Sequence, residues 1–266
     1  MKSNKTIIIT GTSGGIGFVL AEYFGKKGHK VYGLSRKTAE SPYFITIPTD
    51  ITDNNQVQAA ITKVLNDGQN IDLLINNAGM GMVGAVEDST KDDIWKLFNL
   101  NLVGAVQLMS AVLPAMRAQK NGQIINISSI GSEMGLPFRG FYSASKSALD
   151  KVTEAIRYEV SPWNIHVCSL HLGDIKTKIA ENRVKTSVSD PYKITFSKVH
   201  DLMNSHVDDG TEPLDVAVYI EKLILKDHWK AHYYFGKFGQ KIGVPLKWIL
   251  PQRLYEKLMK KYNKLD

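Results

Sequence analysis

Short apolar runs alternate with helix-length stretches along nearly all of the 266-residue chain, and this rhythm narrows its folding more than any other feature. The runs Thr6–Thr10, Lys30–Ser35, Phe44–Ile47, Ile71–Ile75, Gln123–Ser128, Ile165–Leu172 and His232–Phe235 read as strands. Most are continuously apolar over three or more residues, the pattern of strands covered on both faces. Between them, Gly15–Lys27, Asn54–Asn66, Thr90–Gln119, Tyr142–Val160 and Pro213–Lys226 have helical length. Strands joined by helical crossovers make a parallel sheet with helices on both sides. The expected fold is therefore α/β, a single doubly wound domain over residues 1–266 with about seven strands. Residues 178–212 break the rhythm, being polar and poorly periodic, and read as a lid over a substrate.

A net charge of +7 spread over the chain would point to nucleic acid, but here it is confined to one end. Residues 226–266 hold ten Lys/Arg against three acids, so the preceding 225 residues are balanced and no nucleic-acid partner is expected. Residues 243–266 form a basic, amphipathic segment. Packing over the substrate mouth or on a partner subunit is its favoured reading, and weak peripheral contact with an anionic membrane is the other. Cys168 is the single cysteine, which excludes an intramolecular disulfide and points to a reducing compartment. With no signal-peptide core, and no run approaching the roughly 18 apolar residues of a membrane span, a cytoplasmic location is expected.

Directly after the first strand comes Thr10-Gly11-Thr12-Ser13-Gly14-Gly15-Ile16-Gly17, and a helix follows at once. Glycines in such a turn let backbone approach a pyrophosphate, while the helix N-terminus offers N–H donors. The second strand ends Gly33-Leu34-Ser35-Arg36-Lys37, with no acid before Glu40. An acid there would hold a ribose 2′-hydroxyl. Ser35 and Arg36 instead suit a 2′-phosphate, so NADP(H) is expected over NAD(H).

The glycine spacing, with the motifs that follow it in order, resembles the short-chain dehydrogenase/reductase family. Those motifs are Asp50-Ile51, Asn76-Asn77-Ala78-Gly79, Asn101-Leu102-Val103-Gly104, Ser129, and Tyr142-Ser143-Ala144-Ser145-Lys146. The resemblance is dense over residues 6 to about 180. It implies a Rossmann-type fold and a homodimer or homotetramer, with Thr90–Gln119 and Tyr142–Val160 at the interface. It also implies cofactor contacts from Asp50, Ile51, Asn77, Ala78 and Gly79, and a catalytic set of Asn101, Ser129, Tyr142 and Lys146. Asn99 competes for the asparagine role, but Asn101 has the family's distance to Gly104.

The chemistry agrees. Tyr142 and Lys146 lie four apart, on one face of a helix. A phenol of pKa about 10 shuttles protons poorly at neutral pH, and an adjacent ammonium would lower it. A change of about 3 units takes roughly 4 kcal/mol, which Lys146 and a cationic nicotinamide could share. Tyr142 would then protonate a carbonyl oxygen that Ser129 holds in place. In the family the lysine also grips the nicotinamide ribose, and the asparagine holds a water.

The sixth strand runs into Leu172-Gly173-Asp174-Ile175-Lys176-Thr177, where the family usually has Pro-Gly, so the loop's rigidity is in question. Gly173, Ile175 and Thr177 remain expected cofactor contacts. Gly135-Leu136-Pro137-Phe138 is similar to the pocket stretch of steroid- and retinol-reducing members, 17β-hydroxysteroid dehydrogenase type 1 among them. With Met80, Met82, Val83 and Met134 it would wall a site for a bulky, lipid-like carbonyl. His171 reads as a strand end, and no metal site is expected. Alternatives are a 3-keto-lipid reductase of the sphingolipid-precursor type and a non-catalytic NADP-sensing regulator.

Overall fold

Strand β1 (Thr6–Thr10) is buried at every position, and Ile7, Ile8 and Ile9 have no exposed surface. A β-branched run with polar threonines only at its ends can satisfy its backbone there only between two other strands. Those neighbours are β2 (Lys30–Ser35) and β4 (Leu73–Asn76), both parallel to it. The sheet of this computed structural model continues through β3 (Ile45–Pro48), β6 (Gly122–Ser129), β7 (Ile165–Leu172) and β9 (His232–Phe235). Its order is β3-β2-β1-β4-β6-β7-β9, parallel throughout. The structure describes residues 4–67, 70–177 and 183–265.

Helices cover both faces. On one, α1 (Gly15–Lys26) and α7 (Pro213–Leu223) bury Leu20, Phe24, Val216 and Ile220 against the sheet. On the other, α2 (Asn54–Asn66) and α4 (Ala105–Gln119) bury Val57, Ile61, Leu108 and Val112. Helix α5 (Gly140–Glu159) runs beside them and packs Leu149 inward. The Asp53 carboxylate starts α2 by accepting the amides of Asn55 and Gln56 at 2.9 and 3.3 Å. The strand order changes direction between β1 and β4, and the crevice beyond their carboxyl ends is where doubly wound sheets take ligands.

Three features depart from expectation. The long helix Thr90–Gln119 is α3 (Lys91–Phe98) and α4 joined by π-helical turns over Asn99–Gly104. By length and hydropathy the run Lys91–Gln119 is apolar enough to cross a membrane, contrary to the sequence reading, but half of its most apolar window is buried inside the fold. Second, the polar 178–212 segment carries regular structure that its poor periodicity did not announce. Residues 178–182 lie outside the described residues, and β8 (Val184–Lys185) pairs with β5 (Met82–Val83). Helix α6 (Lys193–Asp208) follows, with Val199, Met203 and Val207 buried along one stripe. Third, the basic terminus forms α8 (Phe238–Ile249), which runs through Pro245, and α9 (Gln252–Tyr262).

Candidate active site

The glycine turn forms as its spacing requires. Gly11 and Gly15 have φ of +74° and +56°, a region that side chains avoid. A methyl group on Gly17 would sit 2.3 Å from the Gly11 carbonyl oxygen, so only hydrogen fits there. Thr12 is buried, whereas Ser13, Gly14 and Gly15 form an exposed rim and Ile16 is half-buried. Helix α1 has no side-chain cap, which leaves its first amides directed at that rim. The turn is braced from β4: the Thr10 hydroxyl accepts the amides of Asn77 and Ala78 at 2.9 and 2.8 Å, and Asn77 Nδ2 donates to Thr10 O. An open glycine rim above uncapped amides fits the pyrophosphate of a dinucleotide.

Around the rim stand the other expected cofactor residues. Thr12 Oγ1 donates to Ser35 Oγ at 3.5 Å, and the Ser35 hydroxyl donates to Lys37 O. Arg36 is exposed at the end of β2. One Asp50 carboxylate oxygen accepts the amide and hydroxyl of Thr52. Ile51 points inward, against Gly104, so it presents only backbone to the crevice. A Cβ on Gly15 would lie 3.8 Å from Thr177, which brings the loop after β7 over the turn.

That loop is held without the proline. Leu172 continues β7, paired with Ser129 on one side and Phe235 on the other. Gly173 N donates to Phe235 O, and a bridge joins Ile175 to Thr211, with Thr211 N donating to Asp174 O and Lys176 N to Thr211 O. Gln240 of α8 donates to the Asp174 carboxylate. Hydrogen bonds supply the rigidity that a ring would.

Ser129 ends β6, and its hydroxyl accepts the Gly131 amide at 3.0 Å. Tyr142, in the first turn of α5, shares a hydrogen bond with it. Asn101 is buried by the π-helical turns, an irregularity that recurs at functional positions. Its amide donates to Met80 O and Ser145 Oγ at 3.0 and 3.1 Å, and its oxygen accepts the Met80 amide at 2.9 Å. Asn99 is exposed. Lys146 is buried, and its Nζ donates to Ile127 O at 2.8 Å. Gly79 closes the group, since a Cβ there would touch both Asn101 Oδ1 and Lys146 Nζ. The four catalytic candidates are thus brought together.

The expected lowering of the phenol involved a cationic nicotinamide beside Lys146, and in the chain alone the balance runs the other way. Burial raises the Tyr142 pKa above the ordinary tyrosine value, and the charges that ease it down are Arg139 and Arg183, after the Ser129 hydrogen bond. Burial pulls Lys146 itself down to about 8, with Asp150 opposing. Tyr142 therefore stands as a protonated acid at neutral pH.

The pocket wall is partly as expected. Met82, Val83 and Leu136 are buried, and Met80, Met134 and Phe138 are half-buried. Phe138 takes φ of +58°, an uncommon conformation for a non-glycine, and its ring meets Phe196 and Tyr192 edge-on at 5.4 and 6.2 Å. Two arginines and a histidine network had no signal in the spacing. His171 is buried, its Nδ1 facing Ser132 Oγ and Ser129 O, and its Nε2 lies 2.9 Å from His232 Nδ1. His232 Nε2 in turn meets Glu154 at 3.0 Å. Glu133, His171 and His232 offer ligand atoms within 4.8 Å of one another, a grouping made by the fold from distant positions. Glu133 already accepts the Tyr234 hydroxyl, at 2.8 Å.

The comparisons agree with this geometry. A model of the short chain dehydrogenase family matches residues 5–187. Over 256 residues the chain is 35% identical to a 3-ketodihydrosphingosine reductase of Bacteroides thetaiotaomicron, covering 95% of each chain. A short-chain dehydrogenase from Streptomyces avermitilis superposes with a TM-score of 0.84 at 25% identity, over 99% of this chain and 97% of that one. One from Burkholderia cenocepacia, solved with NADP, has a TM-score of 0.72 at 25% identity, over 96% and 97%. Another neighbour, 26% identical, was solved with NADH. The family model spans well over half the chain, so this protein belongs to the short-chain dehydrogenase/reductase family and is an NAD(P)-dependent oxidoreductase.

Proposed function

We propose that the protein is an NADP(H)-preferring reductase of a lipid-like ketone, interconverting carbonyl and secondary alcohol. The observation that carries this reading is the Tyr142 phenol beside the Ser129 hydroxyl, with Leu136 packed next to Ser129 at Gly131 and Met82 also buried. A nicotinamide cofactor supplies hydride when bound, held by Gly11–Gly17, Asn77–Gly79 and the loop through Gly173, Ile175 and Thr177. Arg36 and Ser35 at the end of β2 would take its 2′-phosphate. The chain's own residues do the rest. The Ser129 hydroxyl donates to the substrate carbonyl oxygen and fixes it against Tyr142. Tyr142 gives that oxygen its proton as negative charge develops. Lys146 and Asn101 line the floor, where they orient the cofactor ribose and the route by which Tyr142 is reprotonated.

A second reading, reduction of a 3-keto sphingoid base, is favoured by the printed function of the 35% identical relative. NADPH consumption with long-chain ketones, a 3-keto sphingoid base among them, tests both. Turnover of the sphingoid ketone alone selects the second, and cofactor binding with no turnover of any carbonyl rejects both. We further infer a cytoplasmic homo-oligomer joined through α4 and α5, whose neighbourhood leaves Trp95, Tyr158 and Trp163 exposed. Sedimentation as a monomer would reject that assembly. The outer face of α8 and α9 is assigned to weak contact with anionic membranes.

A further inference from the structure

Two arginines enter the active site from opposite sides, and nothing in the mechanism uses them. Arg139 stands at the N-cap of α5, three residues before Tyr142, and its charge acts on that phenol. Its Nε is sealed from solvent without a partner. Among the described residues its guanidinium makes no hydrogen bond or ion pair. Arg183 comes from the other side, immediately before β8. The β5–β8 pairing clamps it there, with Val184 N donating to Gly81 O at 2.9 Å and the Arg183 stem lying on Gly81. Gly81 is two residues beyond Gly79, which lies against Lys146 and Asn101. One Arg183 nitrogen donates to the neutral Asn204 Oδ1 at 2.9 Å.

A guanidinium taken from water is costly unless paired, and it has five N–H donors to satisfy; both arginines are half-buried, with the Arg139 Nε sealed. Desolvation pulls both below their ordinary range, and the Arg139 charge lowers Arg183 further. Asp174 is the carboxylate that acts on both, and it already accepts from Gln240. One acid against two cations leaves the pocket positive beside the phenol. The two arginines belong to α5 and to the β5–β8 pair, the elements of the apolar wall, and not to the glycine turn that receives the cofactor's phosphates.

We propose that Arg139 and Arg183 form a substrate subsite for an oxyanion, a carboxylate, phosphate or sulfonate borne a few atoms from the ketone. The proposal rests on the ketone-reducing reading above and refines it. The substrate is a lipid-like ketone whose short end is acidic, and an ammonium in that place would meet two like charges.

The test compares NADPH-dependent kcat/KM for ketones with one common alkyl chain, differing only at the short end: carboxylate, phosphate, sulfonate, hydroxyl or amine. One of the oxyanions is expected to exceed the hydroxyl compound by at least about 10-fold, and the best of the three names the group. Arg139→Gln and Arg183→Gln should each cut that oxyanion-to-hydroxyl ratio by about 10- to 100-fold, the range of one charge-assisted hydrogen bond. Arg139→Lys should restore part of it, as a point charge without the planar fork. Equal or better turnover of the hydroxyl or amine compound, or a ratio that neither substitution moves, overturns the subsite. If no ketone is consumed, the ketone-reducing reading has failed, and the subsite is then judged by binding alone. Octyl phosphate or octanoate should raise the unfolding temperature of the wild type and not of Arg139→Gln, and octanol performing equally well would overturn it.

Discussion

Lys146 has two opposed consequences that one substitution separates. Its pKa of about 8 lies below the ordinary lysine value because burial disfavours the ammonium. Below pH 8 the folded and unfolded chains both hold this proton, and the folded chain carries the whole desolvation cost. A displacement of about 2.5 units corresponds to about 3 kcal/mol. Between pH 8 and about 10.5 the folded chain releases the proton while the unfolded chain keeps it, so this cost fades as pH rises. Lys146→Met removes the cost but leaves Ile127 O without its donor, worth about 1 kcal/mol. The cofactor-free variant should therefore be about 2 kcal/mol more stable than wild type at pH 7, with the advantage gone near pH 10.5. Urea unfolding at both pH values checks this, and a variant weaker at pH 7 refutes it. Tyr142→Phe separates chemistry from fold. It removes only the hydroxyl that meets Ser129, so cofactor affinity should hold while ketone reduction falls about 10²- to 10⁴-fold. Near wild-type turnover would remove Tyr142 from the mechanism.

Among the elements, the end of β2 carries the cofactor choice. Arg36 is exposed and Ser35 already donates its hydroxyl proton to Lys37 O, so the guanidinium must supply most of the grip on a 2′-phosphate. Arg36→Ala should weaken NADPH binding about 10- to 100-fold and leave NADH binding nearly unchanged. Equal losses, measured by titrating cofactor fluorescence, would reject the preference. β1, β2 and β7 have the bounds that their apolar runs implied, since a strand buried on both faces writes its length directly into the sequence, and the half-buried edge strand β9 matches its aromatic run too. Helix α6 was illegible because only Val199, Met203 and Val207 are buried along it, a stripe too thin to stand out among polar neighbours. Helix α8 passes through Pro245 at an exposed position, against the usual effect of an interior proline. The four catalytic candidates could be picked out because their order and spacing are local signatures. Arg139 and Arg183 could not, because a lone arginine in a loop looks solvated until tertiary packing half-buries it.

At the scale of the whole molecule, charge and apolar surface gather on one end. The inner faces of α8 and α9 pack on this chain's own substrate side. Lys247 Nζ donates to Glu133 O, Tyr255 reaches Met134 Sδ at 3.6 Å, and the Tyr262 ring lies 5.6 Å from His206. Val244 and Asn263 are buried. The expected packing is thus present within one chain, and it leaves a second face outward. There Phe238, Trp248 and Ile249 are 75–76% exposed, with Leu254 and Leu258 about half so. Lys241, Arg253, Lys257, Lys260 and Lys261 surround them, all exposed. Each lysine near an anionic surface contributes about 1 kcal/mol, and each large apolar side chain taken from water about 1.5–3 kcal/mol. The protein should therefore sediment with vesicles containing phosphatidylserine at low salt and leave them as salt screens the charges. Trp248→Ala and Ile249→Ser alter only the outward face, so they should preserve unfolding temperature and each weaken sedimentation about 10-fold. Deleting residues 243–266 is a blunter experiment, because it also strips cover from Met134 and His206 beside the substrate pocket. Absence from phosphatidylserine vesicles at low salt, or sedimentation indifferent to salt and to Trp248, would show that this face meets no membrane.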